Sequence, residues 1–86
     1  MTSAFDEMIE LARRVGITVR HVKLGGAGGG LACVRGVRQL FVDVDADPAD
    51  QLEQTARALA SLSEMRTVFI RPDVRELIET LSAKGA

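Results

Sequence analysis

Glycine dominates one short stretch of the sequence, the segment LGGAGGGLACVRG at residues 24–36. Five of the eight glycines in the chain lie between Gly25 and Gly30. Backbone N–H groups approach an anion closely when no Cβ intervenes, which is why phosphate-binding loops are rich in glycine. The segment therefore has three possible uses: it binds an anion, it allows close backbone packing, or it only connects two strands.

The elements predicted around the glycine run exclude the common phosphate loops. Rossmann and P-loop sites need a helix directly after the glycines, and here a strand is predicted instead. The protein-kinase loop does join two antiparallel strands, but Ala27 and Ala32 replace its middle glycine and its valine, and the other kinase motifs are missing. A connecting loop or a close backbone contact is the first interpretation. The alternative is an anion site, formed by Gly26, Gly28, Gly29 and Gly30 with the cations Lys23, Arg20 and Arg35.

Three aspartates, Asp43, Asp45 and Asp47, alternate along the sequence and carry the next candidate chemistry. An apolar strand ending in Asp-x-Asp resembles the first motif of the haloacid-dehalogenase-type phosphatases, in which Asp43 would be the nucleophile and Asp45 the general acid. That family also has a downstream lysine and a much larger domain. The spacing also matches the start of an EF-hand, but Pro48 replaces its glycine and Gln54 its bidentate glutamate. We interpret Asp47 as a helix N-cap and the other two as exposed residues at a strand end.

His21 and Cys33 are the only histidine and the only cysteine. A hairpin centred on Ala27 would place them opposite each other, and such a pair can act as base and nucleophile. No further acid is placed to orient the imidazole, so we favour a half-buried histidine beside a small apolar cysteine. We therefore predict a non-catalytic protein with no cofactor and no metal site.

The apolar periodicity predicts three helices and four strands in the order α-β-β-β-α-β-α. Capping residues place the helix starts at Ser3, Asp47-Pro48 and Pro72-Asp73. The strands are predicted at 17–24, 31–35, 39–45 and 67–70, with a hairpin turn at Gly36-Val37. The first three should form an antiparallel meander, and the fourth should return parallel to the third through a right-handed crossover. The fold class is α+β, one domain over residues 1–86, with a four-stranded mixed sheet and helices mainly on one face.

Size and charge distribution favour self-association. A domain of 86 residues buries only about 60–65% of its unfolded surface, and a single cysteine allows no intrachain disulfide. Residues 11–42 contain six basic residues and no acid, whereas residues 43–53 contain five acids and no base. We interpret this asymmetry as self-complementarity, within the fold or across a dimer. The alternative is local attraction of an anion.

The predicted third strand suggests where such a contact lies. Its alternation sets Phe41 on the face opposite Leu40 and Val42. If the helices cover only the face of Leu40 and Val42, a second apolar patch joins Phe41 with Val22, Leu24, Ala32 and Val34; the alternative is that one helix covers each face. An exposed patch of this kind usually marks an interface. We predict a small binding or regulatory protein that acts through protein–protein contacts, as a homodimer and with a partner protein not identified by the sequence. The alternative is a nucleotide-like, phosphate-bearing small-molecule binding module that uses the glycine loop.

Composition argues against two other partners. The three aromatic residues are all phenylalanine and the isoelectric point is about 5.7, so nucleic acid is not an expected partner. No apolar run approaches the roughly 18 residues that span a bilayer, and the first residues lack the pattern of a signal peptide. We expect a cytoplasmic protein of bacterial type.

Two resemblances extend over longer stretches. The pattern GGAGGGLACVRG, then QLFVDVDAD, a helix and TVFIRPDVRELI resembles a group of small bacterial α+β proteins over roughly residues 17–80, and it implies no established activity. The order of helix, three strands and helix is similar to the beginning of zinc metallopeptidases of the ImmA/IrrE type, whose second helix carries His-Glu-x-x-His. The corresponding helix here, QLEQTARALASL, contains no histidine. That resemblance therefore implies a relative without the zinc site.

Overall fold

Three α-helices and a three-stranded sheet form the computed structural model, which describes residues 3–26 and 28–83. The helices are α1 (Ala4–Arg14), α2 (Pro48–Ala60) and α3 (Pro72–Ala83). The strands are β1 (Thr18–Val22), β2 (Gly30–Val34) and β3 (Val37–Asp43), and a short 3-10 helix, Ser63–Arg66, follows α2. The α+β class is confirmed. None of the described helices is long and apolar enough to cross a membrane.

The helix starts follow the capping signals of the sequence. The side-chain oxygen of Ser3 accepts a hydrogen bond from the Asp6 N–H at 3.1 Å, which satisfies one of the free donors of the first turn of α1. Pro48 occupies the first turn of α2, where its missing N–H is not needed. Asp47 stands at the N-cap of α2 as predicted, although its side chain makes no capping hydrogen bond.

The order of the strands differs from the predicted meander. β3 lies in the centre of the sheet, with β1 parallel to it on one side and β2 antiparallel to it on the other. The prediction that β1 pairs with β2 was therefore wrong. β3 carries the buried side chains Leu40 and Val42, and the central position lets both neighbouring strands shield this most apolar strand.

The predicted fourth strand at residues 67–70 is also not present. The N–H groups of Thr67 and Val68 donate to the Glu64 carbonyl at 3.0 and 3.2 Å, so they continue the 3-10 turn instead of joining a ladder. Ile70 packs into the helical core, while Phe69 is 77% exposed. The apolar run TVFI thus connects the 3-10 helix to α3 and leaves a three-stranded mixed sheet in the described chain.

The helices cover one face of the sheet. The strand residues that pack against the helical core are Val19, Leu31, Leu40 and Val42, and the pairing register sets all four on the same face. α1 packs on β1, and α2 packs on β2 and β3. α3 packs against α2 and, less extensively, against α1. The opposite face of the sheet, with Phe41 in its centre, lies outside this core.

The hairpin between β2 and β3 turns one residue earlier than predicted. Val34 and Val37 form the last strand pair, so Arg35 and Gly36, and not Gly36 and Val37, occupy the two central positions of the turn. Their φ angles are 53° and 79°. Two positive values are typical of a type I′ turn, whose twist matches that of the flanking strands. Arg35 is the one non-glycine residue with positive φ in the described chain.

Replacing Arg35 by asparagine should stabilise the protein, because asparagine adopts the left-handed conformation at lower cost than arginine. We expect Arg35→Asn to raise the free energy of unfolding by about 0.5–1 kcal/mol, which corresponds to a thermal midpoint higher by roughly 3–6 °C. Gly36→Ala, which introduces a Cβ at a positive φ, should lower the midpoint instead. Thermal unfolding followed by circular dichroism measures both, and a lower midpoint for Arg35→Asn would contradict this description of the turn.

Candidate functional site

The glycine-rich loop crosses the end of the central strand. Because β1 and β2 lie on opposite sides of β3, the segment that joins them must pass over the carboxyl end of β3. Asp43 is the last residue of that strand, and none of its surface is exposed. The prediction of an exposed Asp43 was therefore wrong, because the loop covers it.

The carboxylate of Asp43 accepts four backbone hydrogen bonds. Its Oδ1 accepts from the N–H groups of Leu24 at 3.0 Å and Asp45 at 2.9 Å. Its Oδ2 accepts from those of Gly26 at 2.8 Å and Gly28 at 3.1 Å. The N–H of Gly25 donates to Oδ2 of Asp45 at 3.0 Å. The loop therefore does surround an anion with backbone donors, and this anion is a carboxylate of the chain itself.

The hydrogen bonds control the charge of this buried group. Burial alone would raise the pKa of Asp43, but the four backbone donors outweigh burial and hold the pKa below its usual value. A carboxylate with filled acceptor positions remains ionised without a cation beside it. Asp43 is therefore a structural anion rather than a poised acid or base.

Two glycines are required by close contacts inside the loop. A Cβ on Gly28 would lie 2.6 Å from the Cβ of Leu24, far inside van der Waals contact. Gly29 has a φ of 104°, and a Cβ there would collide with the side-chain oxygen of Gln54. These contacts favour the interpretation of the run as a close backbone contact.

The residues of the predicted anion site are only partly brought together. Lys23 adjoins the loop, whereas Arg20 is on the face of the sheet that the helices do not cover, as the Cα partner of Phe41. Arg35 lies at the other end of β2, about 16 Å from the loop for a strand of this length. Arg35 does not flank the glycines, because it lies in the turn between β2 and β3, whereas the glycine loop precedes the first residue of β2.

A shallow cleft adjoins the last glycines of the loop. Gly29 and Gly30 line it together with Gln54, Arg57 and Ser61 of α2 and the residues after it. The Oε1 atom of Gln54 is buried and has no donor within the described chain. Binding of an anionic small molecule by the glycine loop stays a prediction. Of its glycines, Gly26 and Gly28 already donate to Asp43, whereas Gly29 and Gly30 line this cleft.

The other candidate chemistry is dispersed. His21 is the Cα partner of Val42 and Cys33 that of Arg38, so two strand spacings across the sheet and four residues along it separate the two by about 16 Å. They are not opposite each other, because β1 and β2 do not pair and the predicted hairpin is not formed. Its predicted centre, Ala27, lies outside the described residues. Among the described residues, no three His, Cys, Asp or Glu side chains converge as metal ligands.

The ion pair of Arg38 with Glu64 was not identified from the sequence. The Arg38 guanidinium donates to both carboxylate oxygens of Glu64 and, at 3.2 Å, to the carbonyl of Val15. It thereby joins β3, the 3-10 helix and the end of α1, and its hydrogen bonds lower the pKa of Glu64. The sequence did contain a signal for it. Arg38 is two residues before Leu40 and four before Val42, so in a strand its side chain lies on the same face as theirs, the face that the helices cover.

Comparisons of the chain with protein-family models, with curated proteins and with solved structures find no match. The resemblances noted in the sequence therefore stay predictions, and the functional argument depends on the structure itself.

Replacing Asp43 by asparagine should destabilise the protein although the side chain keeps its shape. An amide has one acceptor oxygen, so two of the four N–H groups lose their partner and face an NH₂ donor instead. We expect Asp43→Asn to lower the thermal midpoint by roughly 10 °C. The matched control is Asp45→Asn, which affects one exposed hydrogen bond and should change the midpoint by less than about 3 °C. Equal effects of the two variants would contradict the role given to Asp43.

The contribution of Asp43 should depend on pH in a defined direction. Because its pKa is lowered by folding, its ionised form stabilises the protein above its unfolded-state pKa of about 3.9, and this contribution is lost as the pH falls through the folded-state value. The difference in urea midpoint between the wild type and Asp43→Asn should be constant from about pH 7 to pH 5 and shrink below about pH 4. Glu64 and Asp73 also have lowered pKa values, but both proteins retain them and the subtraction removes their contribution. A difference that grows on acidification would contradict the assignment.

Proposed function

We propose that the protein acts by binding other proteins and that its first partner is a second copy of itself. The observation that carries this proposal is the sheet with helices on one face only. We call the uncovered side the open face. Its strand positions are Thr18, Arg20, Val22, Gly30, Ala32, Val34, Val37, Gln39 and Phe41.

The open face has an apolar centre. Phe41 lies in the middle strand, with Val22 on one neighbouring strand and Ala32 on the other, and all three are half-buried. Val34 and Val37 at the hairpin end are 42% and 47% exposed. Leu24, in the loop beyond the other end of the sheet, is 46% exposed. Apolar side chains in this density on a small soluble domain favour an interface over a solvated surface.

The small surface that one domain buries on folding favours a second copy of the chain as the partner that covers the open face. A domain of 86 residues buries too little surface for a large margin of stability, and packing against an identical open face adds apolar burial without another component. Two such faces stack about 10 Å apart in sheet-on-sheet packing. The contact is isologous, since the same residues serve both sides of a two-fold axis.

The area of the open face determines the affinity that we expect for the dimer. Three strands spaced about 4.8 Å apart, with five to seven residues at about 3.3 Å each, span roughly 300 Å². Standard stable interfaces bury about 800 Å² on each partner. The dimer should therefore be reversible, with a dissociation constant in the micromolar range.

The distribution of reactive groups also supports a binding role. The imidazole of His21 and the thiol of Cys33 lie on different edge strands, and the oxygens of Asp43 are occupied by backbone donors. None of these groups meets another in a base–nucleophile or acid–base arrangement. This supports the proposal of a protein that works through contacts and not through a chemical step.

The dimer can be tested with one lysine on each face of the sheet. Val34→Lys places a charge on the open face at a position that is already 42% exposed, so the monomer should keep its fold. We expect the wild type to self-associate at tens of micromolar and Val34→Lys to associate at least about ten times more weakly. His21→Lys, an exposed position on the helical side, is the matched control and should behave as the wild type.

Sedimentation is measured with a reductant present, because Cys33 is an exposed free thiol. A monomeric wild type at tens of micromolar would overturn the proposed dimer. Equal weakening by both lysine variants would show that the open face is not the contact surface.

A further inference from the structure

One phenylalanine projects from the helical side of the molecule. Phe69 is 77% exposed, although Ile70 beside it is buried. It borders a groove of about 210 Å³ whose floor is formed by Leu11, Ile70 and Val74. The exposed ring and the apolar floor of this groove form one continuous apolar patch, and such a patch indicates a contact surface.

Three arginines without an ion-pair partner line the two grooves that meet at Ile70, one of which contains Phe69. Arg14 lines the same groove, and Arg66 and Arg75 line the adjoining groove on the other side of Ile70. No ion pair in the described chain involves any of these three, whereas Arg71 is already paired with Glu7 and Asp73. We call Phe69 with these three arginines the Phe69 knob.

A complementary surface lies at the other end of α2. Phe5, Pro48, Ala49 and Leu52 line an apolar groove of about 390 Å³ between the first turns of α1 and α2. A cavity of about 150 Å³ already accommodates a benzene ring in other proteins, so this groove has room for a phenyl ring. We call it the α1–α2 groove.

Acids without an ion-pair partner are chain neighbours of residues that line the α1–α2 groove. Asp6 follows Phe5, and Asp47 and Asp50 adjoin Pro48 and Ala49. All three are exposed, and no ion pair of the described chain involves them. Acids thus lie beside the groove in the chain, whereas arginines outnumber acids around the knob, where Glu7 is paired with Arg71 and Glu79 adjoins Arg75.

The two surfaces cannot meet within one molecule. α2 has Pro48 in the α1–α2 groove at its start and Ala60 beside Arg66 and Ile70 at its end. Its 13 residues span about 20 Å, which separates the groove from Arg66 and Ile70, and the linings of the α1–α2 groove and of the groove beside Phe69 have no residue in common. A contact between them must therefore join two copies.

We propose that the Phe69 knob of one copy docks into the α1–α2 groove of the next, with Arg14, Arg66 and Arg75 facing Asp6, Asp47 and Asp50. This contact is heterologous, since each copy uses two different surfaces, and it leaves one knob and one groove free in a pair. It is separate from the open face, so both contacts together build assemblies larger than a dimer.

The test separates this contact from the sheet contact by working in the Val34→Lys background. Phe69→Ser removes the knob, and Ala49→Arg blocks the groove with a cation that also repels the arginines. Both positions are exposed, so each variant should keep its circular dichroism spectrum and thermal midpoint. Sedimentation velocity from about 10 to 200 µM should show association of the parent and at least a tenfold weaker association of each variant.

Mixing the two variants gives the decisive result. Ala49→Arg still has a knob and Phe69→Ser still has a groove, so an equimolar mixture should form a one-to-one complex although neither variant associates alone. Raising sodium chloride from about 0.05 to 0.5 M should weaken the complex several-fold, since exposed charges are screened. A parent that stays monomeric, a variant that associates like the parent, or a mixture without a complex overturns the head-to-tail contact. The dimer through the open face is judged separately by Val34→Lys and His21→Lys.

Discussion

The fold depends on one ionised side chain at the end of its central strand. With the strand order β1-β3-β2, the chain must cross the end of β3, and the crossing segment has no neighbouring strand to accept its N–H groups. Asp43 accepts three of them and the N–H of Asp45 as well. The carboxylate thus replaces the missing strand as the hydrogen-bonding partner of the loop. Each backbone donor left unpaired at this position would cost about 1–3 kcal/mol, a large fraction of the stability of a small domain.

The local elements were predictable because their signals are local. Ser3, Pro48 and Pro72 mark the helix starts, and alternation in β3 separates Leu40 and Val42 from Phe41. Strand order is not a local property, since alternation specifies which face a side chain occupies and not which strand lies beside it. The sequence of the 67–70 segment has the composition of a strand, but the preceding 3-10 turn takes up its first N–H groups.

In the candidate site, too, the local features were predictable from the sequence and the contacts between distant segments were not. The glycines indicated donors for an anion, and the Asp-x-Asp pattern indicated carboxylates at the end of a strand. Nothing in either pattern alone indicates that the two segments meet, because that contact joins residues 15 to 19 positions apart and follows from the crossing of β3. The turn at Arg35 was placed one residue late because arginine is a poor left-handed residue, and the strand pairing outweighs that preference.

The three phenylalanines all lie outside the fully buried core. None is among the buried apolar residues, which are methionine, leucine, isoleucine, valine and alanine. Phe41 lies in the open face, Phe69 forms the knob, and Phe5 lines the α1–α2 groove. The aliphatic residues hold the monomer together, and the largest apolar side chains occupy the surfaces through which we propose that copies meet.

The crossing loop also determines the order in which the native contacts can form. The hairpin of β2 and β3 closes through a two-residue turn, whereas the parallel pairing of β1 with β3 joins residues 21 positions apart. Short-range contacts cost less loop-closure entropy and form first. The segment around Gly26 and Gly28 can close on Asp43 only after β1 has docked beside β3. Interactions that form last act mainly on the rate of unfolding, so we expect the hydrogen bonds of this loop to Asp43 to slow unfolding more than they speed folding.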